Sequence, residues 1–298
     1  MTFTIKVPAS TANLGPGFDS VGLALNRHLV LSCTSSDQWR FRYQSPGYET
    51  LPTDHNNFIY RIYRKTASIY GFPDPEPAVH IDITTDIPLE RGLGSSAAAI
   101  VAGIELANYL LGLQLTTAEK ARLASCFEGH PDNAGASVYG GLTVGTHSEE
   151  DTVIIPCGVP PIDVILMIPD NHLLTEASRN LLPERLDFYE AVRGSSLANV
   201  LVACLVRGDI EKLSHIMACD VFHQPYRIKA VPDLETVTAY LSGEPCGVAL
   251  SGAGPSIAVL TEKNKGEAIR EKLAHRFPDY TIDLLHPESQ GACMYEGR

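Results

Sequence analysis

The sequence predicts an α+β fold in two domains, 1–150 and 151–298, and three observations carry that expectation. At 298 residues the chain is longer than one hydrophobic core usually serves, which leaves two domains or one large α/β domain. Strand-like and helix-like runs are interspersed without the strict β-α-β-α alternation of a doubly wound sheet. A polar run, His147-Ser148-Glu149-Glu150-Asp151, follows a strand-like segment and marks a boundary.

The elements follow from pattern. Phe3, Ile5 and Val7 alternate as in a half-buried strand, and further strand-like runs lie at Leu29–Thr34, His80–Thr84, Leu142–Thr146 and Val153–Pro156. In the second half they lie at Val164–Ile168, Gly247–Leu250, Ile257–Leu260 and Tyr280–Leu285. Helical periodicity places helices near Phe58–Tyr70, Ser96–Leu111 and Ala118–Glu128. It continues at Asp187–Val206, Ile210–Ala218, Leu234–Leu241 and Lys265–Arg276. Thr116 with Glu119 three residues on forms a capping box, and Gly112 suits the left-handed position that ends the preceding helix.

Composition removes several function classes. Charged residues are 19% and hydrophobic residues 44% of the chain, a globular balance. The formal charge of −12 argues against a general nucleic-acid or anionic-membrane partner, since either needs a basic face. The seven cysteines include no C-x-x-C pair and fit reduced thiols better than a disulfide frame or a zinc site. The first residues carry no signal-type apolar run, and Ala97–Leu115 is interrupted by Glu105, Asn108 and Gly112, so no membrane span is expected. A cytoplasmic protein is the expectation.

"PLERGLGSSAAAI", Pro88 to Ile100, places a glycine-serine loop before an alanine-rich helix, with His80–Thr84 leading in as a strand. A helix start carries unpaired N–H groups and roughly +0.5 of an elementary charge. Gly92 and Gly94 let an anion approach the backbone, and Ser95 and Ser96 add hydroxyls. The loop lacks the lysine of the common phosphate loop. One helix terminus supplies only about 0.3–2 kcal/mol, so a triphosphate also needs a cation such as Mg²⁺. A plain strand–turn–helix connection with capping serines reads the same way.

Three other stretches stand out. "PASTANLGPGFDSVGLALN", Pro8 to Asn26, sets Ser10, Thr11, Asn13 and Asp19 around glycines, as in a turn that presents polar groups to a ligand or supports its own backbone. "EGHPDN", Glu128 to Asn133, puts two carboxylates, an imidazole and an amide into six residues at a helix end, which a simple turn does not require. "ALSGAGPSIAVL", Ala249 to Leu260, is two apolar strands around a glycine turn, either a hairpin or a loop laid against a site.

In this order the four stretches resemble the GHMP kinase superfamily, which includes galactokinases, homoserine kinases and mevalonate kinases. Pro88-x3-Gly92-Leu93-Gly94-Ser95-Ser96-Ala97 is similar to its phosphate-binding motif, and Ser251-Gly252-Ala253-Gly254-Pro255-Ser256 to its C-terminal glycine motif. Ala12–Asp19 and His130–Asn133 resemble the homoserine kinase branch, and the likeness spans nearly the whole chain. It implies the two-domain GHMP kinase fold with the active site between the domains, and a homodimer. It further implies transfer of the ATP γ-phosphate to the side-chain hydroxyl of L-homoserine, on the path to threonine.

Carried over residue by residue, the resemblance puts Pro88, Arg91, Gly92, Leu93, Gly94, Ser95, Ser96 and Ala97 at the ATP phosphates and Asn57 near the base. Ser96 and Glu128 are the implied Mg²⁺ ligands; some relatives carry the metal-binding glutamate where this chain has Arg122. Asn13, Asp19, His130, Asn133, Thr175, Arg179 and Arg227 are implied at the substrate, and His130, Asp132 and Asn133 at the chemistry. Asp132 and Asn133 are followed by Ala-Gly-Ala where many homoserine kinases have a proline. Guanidinium groups suit the carboxylate of an amino acid and Asp19 its ammonium. Asp132 is expected to orient the substrate more than to act as a base. A GHMP kinase for another alcohol, such as mevalonate, and an inactive ligand-binding relative are the alternatives.

Overall fold

A computed structural model describes residues 1–75 and 77–297. It begins with a long antiparallel hairpin, β1 (Thr2–Asn13) and β2 (Gly17–Ser35), with register slips after Pro8 and after Ala12. Sequence patterning ends the first strand at Val7 and treats Pro8–Asn26 as a turn; both strands instead run on through it. The reason is burial. From Val7 to Asn13 every residue of β1 is buried, so in-out alternation disappears, and the polar Ser10, Thr11 and Asn13 turn inward onto partners.

The hairpin is the centre of the first sheet. Its order is β11 (Cys293–Glu296), β1, β2, β4 (Val79–Thr85), β3 (Arg40–Tyr43), with β3 and β4 parallel. β5 (Leu142–His147) pairs with β2 at Val21–Leu23, and β6 (Thr152–Pro156) pairs with β5. The polar run 147–151 lies at the turn of this hairpin, so β6 and β11 join the first sheet from beyond it. The second sheet is antiparallel throughout, in the order β10 (Thr281–Leu285), β7 (Ile162–Ile168), β9 (Ile257–Glu262), β8 (Cys246–Leu250).

Among the described residues four helices belong to the first half: α1 (Phe58–Ile69), α2 (Ser95–Leu110), α3 (Thr117–Glu128) and α4 (Asp132–Tyr139). α2 packs on α1, α3, α4 and β1 and is buried on nearly every side, which is why its sequence is apolar all round. α3 starts at the complete Thr116–Glu119 capping box, and Gly112 past α2 is left-handed at φ 61°. In the second half come α5 (Thr175–Arg179), α6 (Phe188–Arg207), α7 (Ile210–Met217), α8 (Gln224–Arg227), α9 (Asp233–Tyr240) and α10 (Gly266–Arg276).

β7 shows how the halves share a core. All seven of its residues are buried: Val164, Leu166 and Ile168 face the large core under the first sheet, while Ile165 and Met167 face a second core with Leu250, Val259 and Leu273. The expected α+β class is therefore realised as two sheets with helices packed on them. Among the described residues no helix is long and apolar enough to cross a membrane.

One close approach ties this packing to the polar residues 130–133 that follow α3. A Cβ on Gly22 of β2 would run into the Asp132 backbone carbonyl at the start of α4, where no flexible side chain can give way. Gly22→Ala is expected to cost about 1–3 kcal/mol of stability by urea unfolding, and to weaken ligand binding by displacing residues 130–133. An unchanged unfolding midpoint would contradict this packing.

Candidate active site

A cleft opens where the two sheets meet, and the glycine-serine loop forms one wall. Gly94 caps α2 in the left-handed region at φ 69°, and a Cβ there would strike the Ser10 hydroxyl, so only glycine fits. No side chain caps α2, which leaves its first N–H groups, on Ser95, Ser96 and Ala97, facing outward from a positive helix end. The Leu93 carbonyl accepts from Ser10 N–H at 3.1 Å and the Gly92 carbonyl from the Ser251 hydroxyl at 2.6 Å. The loop is thus pinned on both sides.

Pro88, Arg91 and Ala97 support the loop without lining the cleft. Arg91 donates to the carbonyls of Pro169 and Asp170 just past β7, bridging the two sheets. Asn57 also lies outside the cleft. It is buried at the start of α1, where its oxygen accepts from Ile59 N–H and its amide donates to the Tyr43 hydroxyl at 2.9 Å and the Pro52 carbonyl at 2.8 Å. Beside it lies a separate apolar cavity of about 250 Å³, walled by Tyr43, Tyr48, Phe58, Ile59 and Ile87 and reaching Ser95 and Ser96.

Opposite the helix start sits the carboxylate cluster. Ser96 Oγ donates to Glu128 Oε2 at 3.1 Å, and burial pushes the Glu128 carboxyl above its ordinary range. α3 ends at Gly129, and the chain reverses into α4 within three residues, which aims His130, Asp132 and Asn133 at one point. His130 Nδ1 meets Asp132 Oδ1 at 2.5 Å; Asp132 also accepts from Asn133 N–H at 2.6 Å. Burial opposes charge on His130, but the Asp132, Glu128 and Asp19 carboxylates outweigh it and raise the imidazole above its usual value. Ser96 and Glu128 offer oxygen donors to a hard cation; Asp19, His130 and Asp132 also bring ligand atoms within 4.8 Å of one another.

The far end carries the two arginines. Arg179 grips Asp19 through two parallel bonds of 2.7 and 3.1 Å. Arg227 is 1% exposed, and burial together with Arg179 lowers it to about 10. Both guanidinium groups lie over the Phe18 ring, at 5.7 and 5.4 Å from its centroid. Asn13 donates to the Gly252 carbonyl at 2.9 Å and accepts from Asp19 N–H, which fixes that carboxylate. Thr175 opens α5, one turn from Arg179, and both line the cleft.

The family model for the GHMP kinases N terminal domain matches residues 57–141, and that for GHMP kinases C terminal matches 201–279. The chain is 48% identical to a homoserine kinase of Halalkalibacterium halodurans, covering 98% of this chain and 94% of that one. It is also 48% identical to one of Shouchella clausii, covering 99% and 98%. The chain belongs to the homoserine kinase family of the GHMP kinases. A solved structure of a family member from Listeria monocytogenes superposes with a TM-score of 0.86 at 36% identity, over 99% of this chain and 100% of that one. A mevalonate diphosphate decarboxylase from Staphylococcus aureus shares the fold at 20% identity, with a TM-score of 0.73 over 99% of each chain.

In this homoserine kinase family member, Phe18 and His223 also build the site though motif spacing did not single them out for it, and Ser10 of the Pro8–Asn26 stretch supports it. Phe18 sits inside the Asn13–Asp19 stretch, so its proximity was legible; its two arginine contacts come from residues far along the chain. Ser10 Oγ donates to Asn133 Oδ1 at 2.9 Å and so sets the amide's orientation.

The raised His130 gives a signed expectation. Stability from its charged pairing with Asp132 is fully present below about pH 6.5, the unfolded value, and is lost as pH rises through the folded value. Asp132→Asn should therefore cost more stability at pH 6 than at pH 9 in urea unfolding. An equal cost at both would refute a charged imidazole.

Proposed function

We propose that this chain transfers the γ-phosphate of ATP to the side-chain hydroxyl of L-homoserine, giving O-phospho-L-homoserine and ADP. The observation that carries the reading is the opposition within one cleft of a bare helix start beside Ser96 and Glu128, and an Asp19–Arg179–Arg227 set suited to an amino acid. Mevalonate shares the carboxylate but has no ammonium, and so would not call for that acid. The names of the full-length relatives point the same way.

On this reading the phosphates lie against the N–H groups of Ser95, Ser96 and Ala97, and the base enters the apolar cavity beside Asn57. Oxygen donors at a positive helix end fit Mg²⁺, held by Ser96 and Glu128; when bound it neutralises phosphate charge as a Lewis acid. Arg227 and Arg179 hold the substrate carboxylate, Asp19 and Asn13 its ammonium side, and Thr175 closes that end. His130, Asp132 and Asn133 place the hydroxyl in line with the γ-phosphorus.

The hydroxyl oxygen then bonds to that phosphorus as the bond to the β-bridging oxygen breaks, and ADP leaves. Asp132 Oδ1 already meets His130 Nδ1 and accepts from Asn133 N–H, which fixes the carboxylate in place. We therefore assign it orientation, with the hydroxyl proton passing to the transferred phosphoryl group. We also propose a cytoplasmic homodimer whose domains follow the two sheets, 1–150 and 151–298, with β6 and β11 returning to the first sheet.

ADP release from ATP and Mg²⁺ should be seen with L-homoserine and not with D-homoserine or mevalonate; release with mevalonate alone would keep the fold and replace the substrate. Asp132→Asn should lower turnover about tenfold with a raised homoserine KM, whereas a loss of roughly 10⁴-fold would make it the base.

A further inference from the structure

We propose that His223 is a positioning residue that holds Arg227 toward the substrate carboxylate by accepting a hydrogen bond as a neutral imidazole, so that homoserine binding fails when it is protonated. The inference rests on the function proposed above. It starts from an asymmetry between the two arginines: Arg179 has the Asp19 carboxylate, while Arg227, the more deeply buried cation, has no carboxylate in contact among the described residues. Its Nη1 meets His223 Nδ1 at 3.1 Å and the Gly252 carbonyl at 3.4 Å, and its Nε meets the Ser178 carbonyl at 3.4 Å. Nη2 has no partner among the described residues, which leaves it to the cleft.

The contacts determine the tautomer. A guanidinium only donates, so Nδ1 must carry the lone pair; Nε2 faces the Gly15 carbonyl at 2.9 Å and must carry the proton. The ring is fully buried and stacks on Phe18, with centroids 5.3 Å apart. Asp220 Oδ2 lies 3.4 Å from Nε2, so this carboxylate contacts the imidazole, while Arg227 feels its charge without touching it. Asp220 itself is fixed by the N–H groups of Phe222, His223 and Gln224, and Gln224 is clamped to β8 through Leu250 N–H.

The charged groups facing His223 are Asp220 from the turn before α8, Arg227 from α8 and Asp19 from β2. Burial disfavours the imidazolium, Asp220 and Asp19 favour it, Arg227 opposes it, and the balance lies below the ordinary histidine value. A proton on Nδ1 would remove the acceptor and set a cation against Arg227. The neutral form therefore holds at and above pH 6.5 and is lost as pH falls further.

Steady-state kinetics with ATP, Mg²⁺ and L-homoserine test this in three proteins. His223→Phe keeps the ring's bulk without an acceptor and should raise homoserine KM about 10- to 100-fold, with ATP KM and kcat changed far less. His223→Asn places an amide oxygen where Nδ1 stood; it should restore most of that KM and abolish the acid limb below pH 6.5 in kcat/KM for homoserine. Equal rises in both KM values, no recovery in His223→Asn, or an acid limb that persists there would overturn the positioning role. If His223→Phe fails to fold, the limb in the unsubstituted protein and its loss in His223→Asn still decide. No turnover of L-homoserine by the unsubstituted protein would instead overturn the function, and with it the carboxylate assigned to Arg227.

Discussion

The cleft depends on one seam of buried hydrogen bonds. Ser251, in the turn between β8 and β9, donates its single hydroxyl proton to the Gly92 carbonyl, so Thr11 must be the donor in the 2.8 Å contact between their oxygens. Beside it Gly252 N–H donates to the Ala12 carbonyl, and Asn13 returns a bond from its side chain to the Gly252 carbonyl. The end of β1, the phosphate loop and the second sheet are joined here, and every partner but the half-buried Gly92 is buried. An unmade bond at such a place costs about 1–3 kcal/mol, so the seam fixes the spacing between the helix start and the arginines.

Charge in the cleft is arranged against the trend of the whole molecule. The chain is acidic overall, yet the start of α2, Arg179 and Arg227 converge on one space. Acids stand between them: Glu128 and Asp132 near the loop, Asp19 at the arginines. The result is a graded set of positive and negative positions, able to hold a polyanion at one end and a zwitterion at the other. Formal charge rules on the outer surface and says little about such an interior.

The sequence was most legible where structure is local. The capping box at Thr116, the long apolar helix after Ser96 and the alternating strands need no distant partner to be recognised. α8 escaped because four residues hold little periodicity, and α4 because it carries Gly135 and Ser137, poor helix formers. β3 was missed although Arg40-Phe41-Arg42-Tyr43 does alternate; four residues were too few to weigh. In the site, the quoted motifs placed Asn13, Asp19, the loop and residues 128–133 in one cleft. Asn57 lies outside that cleft and caps α1, since a buried asparagine before a helix is satisfied by backbone first. The stack of His223, Phe18 and the two arginines joins positions some two hundred residues apart, which no local pattern reports.

The return of β11 to the first sheet has a consequence in time. Phe3–Lys6 find their outer neighbours only at Cys293–Glu296. During synthesis that flank of β1 stays an open edge, carrying Phe3 and Ile5, until Cys293–Glu296 have left the ribosome. β1 is therefore made long before the strand that encloses it, and until then its open edge can pair with a neighbour.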